Sequence, residues 1–187
     1  MEFVNRLIRR LKGILLEPHT EWPVIAEDKG DAAALLIRYV AILALLPALA
    51  RFIGTALIGW YAPILSSLAG ALIIYLSGFA IVYGLALIID ALAPMFGARK
   101  DFTAALKLAV YSTTPVWIAG IFLLVPGLSF LVILGLHGLY LLWTGLPVLM
   151  QAPPEKTLPY AATAGGCALI MTIGLGLSVA PLFSAPG

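Results

Sequence analysis

The chain has 187 residues, of which 62% are hydrophobic and only 11% charged, and its mean hydropathy is +1.06. Soluble domains are about half apolar and about a quarter charged, so a core of this size cannot bury so much apolar surface. The net charge of +2, without aromatic-plus-basic patches, argues against nucleic-acid binding, and the composition predicts an integral membrane protein.

The first residues predict a basic amphipathic helix. Apolar side chains between Phe3 and Leu15 recur at helical spacing and Pro18 ends the pattern, while the other face carries Asn5, Arg6, Arg9, Arg10 and Lys12. Such a helix binds an anionic cytoplasmic leaflet, with Trp22 as an interfacial anchor. The alternative is that it packs on the protein's own loops.

Five apolar stretches follow, each long enough for a membrane span, which takes about 20 residues. They cover residues 35–59, 66–92, 103–125, 128–150 and 160–182. The sequence therefore predicts an all-α polytopic protein, with a cytoplasmic segment over 1–34, a five-helix bundle over 35–182 and a short tail over 183–187. Pro126 and Gly127 suit the centre of a tight turn, so the third and fourth spans are expected to form an antiparallel hairpin.

The basic residues predict the orientation in the membrane. They occur in the N-terminal segment, in the second loop with Arg99 and Lys100, and in the fourth loop with Lys156, whereas the first and third loops have none. Because Lys and Arg are enriched in cytoplasmic loops, we expect a cytoplasmic N-terminus and a C-terminus on the opposite side. An odd number of spans agrees with this.

A polar segment interrupts the third span. Pro115 frees the carbonyl of Tyr111, which the hydroxyls of Ser112, Thr113 and Thr114 are placed to satisfy. Counted from the turn, Thr113 is level with Tyr140 and Val116 with His137. Depth alone therefore predicts one buried polar cluster of Arg51, Tyr111, Ser112, Thr114, His137 and Tyr140. The alternative is that each of these residues has only a structural role.

Small residues recur at four-residue steps in two spans. The fifth span carries Ala162, Gly166, Ile170, Gly174 and Ser178, and the second carries Ser66, Gly70 and Gly78. Such stripes let helices approach closely, within one chain or between chains. No motif for a nucleophile, a phosphate loop or a metal centre is present, so we expect neither a cofactor nor an enzymatic activity.

Several stretches together resemble the YIP (Ypt-interacting protein domain) family, in its compact bacterial form. The segment LLEPHTEWPVIAED matches the entry motif, AVYSTTPVW the third-span element, and LYLLWTGLPVLMQAPPEKTLPYA the fourth span and following loop. The matched positions are Pro18, Trp22, Ile25, Tyr111, Ser112, Thr114, Pro115, Gly145, Leu146, Pro147, Lys156 and Tyr160.

The resemblance implies five spans, a cytoplasmic N-terminus and a non-enzymatic membrane protein, with no catalytic residues. Eukaryotic relatives are tied to Rab-type GTPases and carry a longer polar N-terminal region with a Tyr-Gly-Pro motif. This chain lacks that motif, so a GTPase partner is not expected. The resemblance leaves the role of the bacterial form open.

Two functions are compatible with the sequence. The first is a membrane scaffold or adaptor of the bacterial inner membrane, which organises the lipid bilayer or holds a membrane-protein partner or a second copy of itself. The second is a conduit for a lipid or small solute that uses the polar cluster.

Overall fold

The computed structural model describes residues 2–28, 36–59 and 63–179, and every regular element in those ranges is helical. Five of the helical stretches are long and apolar enough to span a membrane: Arg38–Ile58, Ile64–Phe96, Phe102–Leu124, Gly127–Leu149 and Pro154–Ser178. The prediction of an all-α, five-span protein is confirmed. The first span was predicted to start at Leu35 and the fifth to end at Leu182. Both residues lie outside the described part of the chain, and so does the predicted tail 183–187.

In the described part of the chain before the first span lie two helices, α1 (Glu2–Leu16) and α2 (Pro18–Glu27). Four of the spans are interrupted helices, whereas the fifth is one continuous helix. Their segments are Leu36–Val40, Ala41–Leu43, Leu45–Ile53 and Gly54–Gly59 in the first, Ile64–Leu92 and Ala93–Phe96 in the second, Phe102–Ser112, Thr114–Ala119 and Gly120–Leu124 in the third, Pro126–Leu136 and His137–Leu149 in the fourth, and Pro154–Val179 in the fifth. Leu36–Val40 and Gly54–Gly59 are π-helical, while Ala93–Phe96, Gly120–Leu124 and Pro126–Leu136 are 3₁₀ segments.

The fifth span begins earlier than the sequence indicates. We predicted 160–182, but the helix already starts at Pro154, and Lys156 therefore lies on the helix rather than in a loop. Proline is tolerated in the first turn of a helix, where its missing N–H has no intrahelical partner. This exception explains why the proline-rich stretch reads as a loop but folds as a helix start.

The third span forms the centre of the bundle. Of its most apolar stretch 67% is buried, against 11% for the fifth span and 28% for each of the first and second. Its small residues, such as Ala105 and Ala109, are fully buried and let the neighbouring helices approach. We call the end of the bundle that carries Arg99 and Lys107 the basic end.

The third and fourth spans form the predicted antiparallel hairpin. The backbone N–H of Leu128 donates to the Val125 carbonyl at 2.8 Å, which places Pro126 and Gly127 at the centre of the turn. We call this end of the bundle the turn end. A side chain at Gly138 would collide with the Ser112 carbonyl, so glycine permits the close approach of the two arms.

The residues that face each other across the two arms of the hairpin are not the predicted pairs. Val116 faces Gly135 rather than His137. The first half of the fourth span is a 3₁₀ helix, which rises about 2.0 Å per residue against about 1.5 Å in an α-helix. The fourth span therefore reaches a given depth in fewer residues than an α-helix needs.

Candidate functional site

The polar segment of the third span is built around a break at Thr113. One α-helix ends at Ser112 and the next begins at Thr114, one residue before Pro115. The Thr113 hydroxyl lies within hydrogen-bond distance of the Ala109 and Val110 carbonyls, at 2.9 and 3.0 Å. Ser112 donates to the Ala109 carbonyl as well, at 3.3 Å. These two hydroxyls therefore bond to carbonyls in the turn before Tyr111. The predicted hydrogen bonds from them to the Tyr111 carbonyl, which Pro115 frees, are not formed.

Thr114 has a different partner. Its hydroxyl is 2.9 Å from the hydroxyl of Tyr39 in the first span, and Thr114 and Tyr39 are both buried. Tyr39 also packs edge-on against Tyr111, with ring centroids 4.8 Å apart. The polar segment thus ties the first span to the third at the level of the break.

The aromatic group formed by Tyr39 and Tyr111 also includes Trp22 of α2. Trp22 of α2 is fully buried, and its ring is 6.4 Å from that of Tyr111 in an edge-to-face arrangement. The Trp22 indole N–H donates to the Thr144 hydroxyl of the fourth span at 3.1 Å. A Cβ at Gly145 would lie 2.8 Å from the indole ring, so the tryptophan needs a glycine there. Trp22 is therefore a buried docking residue, and its interpretation as an interfacial anchor was wrong.

Charged residues hold the two N-terminal helices together. Arg10 of α1 pairs with Glu21 of α2 at 2.7 Å, and the side chains are 17% and 19% exposed. The guanidinium carbon of Arg10 also lies 5.9 Å from the centre of the Tyr111 ring, a cation–π distance. Arg10 was predicted to face the membrane surface with Arg6, Arg9 and Lys12, but it faces α2.

The remaining basic residues of α1 differ from Arg10. Arg9 and Lys12 are exposed, and the side chain of Arg6 lies outside the described part of the chain. On the opposite face Ile14 is fully buried in the core. Contact of Arg9 and Lys12 with lipid headgroups stays a prediction.

The end of α2 is fixed by a lysine of the third span. The Lys107 ammonium donates to the Ile25 carbonyl at 3.1 Å and also to the Asp28 carbonyl. A cation at a helix C-terminus is favourable because the last carbonyls carry partial negative charge. At the N-terminal end of α2, His19 is 3.3 Å from the Tyr140 hydroxyl. Tyr140 itself lies about 13 Å along the fourth span from the last residue of that span, Leu149. The helix α2 therefore lies beside the fourth span, and we call α1 and α2 together the docked hairpin.

The loop at the basic end has its own ion pair. Asp101 caps the third span by accepting from the Ala104 N–H at 3.1 Å, and it also accepts from Arg99. Partial burial raises the pKa of Asp101, but these hydrogen bonds and the Arg99 charge outweigh it and hold the pKa below its usual range.

The six residues of the predicted polar cluster do not form one buried site. Tyr111, Ser112 and Thr114 are buried together, whereas His137 and Tyr140 are exposed next to each other, with ring centroids 5.4 Å apart. Arg51 is exposed and lines a cleft on another face of the bundle. Depth along a helix is readable from sequence, but the rotation of each helix, which separates these residues, is not.

The structure adds residues that the sequence did not single out. Tyr39, Glu21 and Lys107 contact the docked hairpin or the polar segment. Thr144, which accepts the hydrogen bond from Trp22, was not predicted as a site residue either. One feature of the sequence could have indicated the contact between Trp22 and Thr144. A buried indole N–H needs an acceptor, and the glycine next to Thr144 leaves room for the ring.

The two small-residue stripes have opposite environments. Gly70 is buried and a Cβ at Gly78 would be 3.2 Å from that of Ala44, so this stripe packs within the chain, although Ser66 itself is exposed. The stripe of the fifth span is exposed along its length, at Ala162, Gly166, Ile170, Gly174 and Ser178. A Cβ at Gly166 or Gly174 would meet no described atom within 4 Å.

The matched family motifs meet at the docked hairpin. Pro18, Trp22 and Ile25 are buried in α2, and Trp22 contacts the motif residues Tyr111 of the third span and Gly145 of the fourth. Tyr160 packs nearby at the basic end, where its ring stacks on Phe96 at 4.8 Å. Pro147 and Lys156 are exposed.

A bundle of five spanning helices with an amphipathic hairpin docked on its basic end defines a polytopic α-helical membrane protein. Within that class the chain belongs to the Yip1 domain family, whose model matches residues 12–175. It is 26% identical over 180 residues to "Inner membrane protein YohC" of Escherichia coli strain K12, and likewise to the protein of that name from E. coli O6:H1. Each match covers 89% of this chain and 92% of the relative. No solved structure matches the chain.

Proposed function

We propose that this protein is a non-enzymatic scaffold of a bacterial inner membrane, and that it holds a transmembrane helix of a partner protein against its fifth span. The inner-membrane location is inferred from the names of the two Escherichia coli relatives. The concentration of Lys and Arg at the basic end supports a cytoplasmic N-terminus.

The observation that carries the proposal is the exposed small-residue stripe of the fifth span. A helix that faces only lipid gains nothing from glycine, which costs about 1 kcal/mol relative to alanine inside a helix. Gly166 and Gly174 nevertheless lie on the exposed face of the least buried span. The stripe contains two pairs of small residues four positions apart, Ala162 with Gly166 and Gly174 with Ser178, on either side of Ile170. Small residues at this spacing favour close helix–helix packing, and the described chain supplies no helix to cover them.

The conduit through a buried polar cluster has less support. Its six residues fall into separate groups, and the buried ones are engaged in the break at Thr113 and in the Tyr39 contact. A path through the bundle would need polar groups that continue from one end to the other.

A photo-crosslinking experiment tests the scaffold. A photoreactive amino acid is placed at Gly166 or Gly174, and at Leu72 and Leu76 of the second span, which are 55% and 56% exposed, as controls. We expect a discrete crosslinked band from the fifth-span positions only, and its mass distinguishes a partner protein from a second copy of this chain. Gly166→Leu and Gly174→Leu should weaken recovery of the crosslinked partner, whereas Ala80→Leu on the exposed second span should not. Equal crosslinking from both spans would overturn the proposal.

A further inference from the structure

A cleft opens between the spans in the half of the bundle near the turn end. It has a volume of about 570 Å³ and lies mainly between the first, second, third and fifth spans, with Val132 of the fourth span also in its lining. Gly70, Gly78, Gly120 and Gly176 all line it, so that its walls are largely backbone and aliphatic side chains. Its size falls within the roughly 300–1,000 Å³ that ligand sites occupy.

Arg51 supplies the single charge among the described residues that line this cleft. It sits about two helical turns before the end of the first span at Ile58, or about 10 Å. An arginine side chain at that depth reaches towards the lipid headgroups of the leaflet at the turn end.

In the described part of the chain no acid pairs with Arg51. The nine acidic residues all lie before residue 32 or at Asp90, Asp101 and Glu155, and the last three are at the basic end or in the loops there. In the part of the chain that the structure describes, the guanidinium has no ion pair or hydrogen bond to a side chain. A charged side chain at membrane depth is costly unless it meets an opposite charge, and an arginine fork matches a phosphate.

We propose that this cleft binds one anionic phospholipid, with an acyl chain along Gly78 and Trp117 and the headgroup phosphate at Arg51. Charge complementarity selects this occupant: the cleft is apolar along its depth and carries a cation towards its headgroup end. A neutral apolar molecule would leave Arg51 unpaired, and a free phosphate would leave the apolar walls empty.

Native mass spectrometry of the full chain, released from nanodiscs with equal amounts of phosphatidylglycerol and phosphatidylcholine, tests the site. We expect about a tenfold excess of the phosphatidylglycerol adduct, which Arg51→Met reduces to near parity and Arg51→Lys largely retains. Arg38→Met, at the other end of the same span, is the matched control and should keep the preference. A wild-type chain without preference, or an Arg51→Met chain that keeps it, overturns the proposal.

A second variant separates the cleft from a surface charge effect. A Cβ at Gly176 meets no described atom within 4 Å although the residue lines the cleft, so Gly176→Phe fills the space without a backbone collision. We expect it to reduce the adducts of both lipids several-fold, whereas added inorganic phosphate should displace neither. Full retention of lipid in Gly176→Phe, or displacement by phosphate, would show that the ligand does not lie in the cleft.

Discussion

Replacement of Trp22 by alanine should release the docked hairpin from the spans. Trp22 is fully buried and donates its indole N–H to Thr144 at 3.1 Å. Truncation of such a tryptophan costs about 3–5 kcal/mol, and each 1.4 kcal/mol is a factor of ten in an equilibrium. The open population of α2 should therefore rise roughly 100- to 4,000-fold, while the five spans stay inserted because their own contacts are unchanged.

Hydrogen exchange measured by mass spectrometry on nanodisc-embedded protein reads this opening directly. The amides of α2 (Pro18–Glu27) should exchange faster by about the same factor, with peptides of the second span as the internal reference. Val24→Ala is the matched control, because Val24 is 51% exposed on the same helix. Trp22→Phe should give an intermediate acceleration of about tenfold, since it keeps most of the ring but loses the donor.

A substitution on the fourth-span side of the Trp22 contact provides an independent check. A Cβ at Gly145 would lie 2.8 Å from the indole, so Gly145→Ala should open α2 without any change in the hairpin itself. If α2 exchanges within twofold of wild type in both Trp22→Ala and Gly145→Ala, the hairpin is not held by this contact and the reasoning is refuted.

Two further outcomes follow from the charges at the basic end. Lys107→Met removes donors from the Ile25 and Asp28 carbonyls, so exchange in the last turn of α2 should rise about tenfold, with Lys100→Met, which is exposed, as control. Unchanged exchange would show that the lysine contact is dispensable. The lowered pKa of Asp101 means that its charge stabilises the folded state above about pH 4 and that this contribution is lost as the pH falls through the folded-state pKa. Thermal unfolding at several pH values should therefore show a smaller acid-side decrease in Asp101→Asn, and an identical decrease would contradict the assignment.

Hydropathy and turn chemistry were sufficient for much of the fold. The number of spans and the turn at Pro126 and Gly127 depend on segment length and local backbone preference, which one sequence displays. The predicted residue pairs across that hairpin differ from the observed ones, because a 3₁₀ segment has no clear signature in a uniformly apolar stretch.

The candidate site was less predictable, because it depends on helix rotation and on contacts between distant segments. His137 and Tyr140 were placed at the right region of the fourth span, yet they face outwards. The docking of α2 joins residues more than 100 positions apart, as in the bond from Trp22 to Thr144. An amphipathic pattern shows that a helix buries one face, but not whether protein or lipid covers that face.

The geometry of the family motifs shows how they hold the docked hairpin against the spans. Trp22 needs an acceptor and a space, which Thr144 and Gly145 provide, and Tyr111 packs on its ring. Each residue type is thus accounted for by burial of one helix against two spans. The buried hydroxyls of Thr114 and Thr144 likewise have protein partners. The docked hairpin therefore fixes the arrangement of the first, third and fourth spans, and it leaves the exposed fifth span as the surface with unused packing capacity.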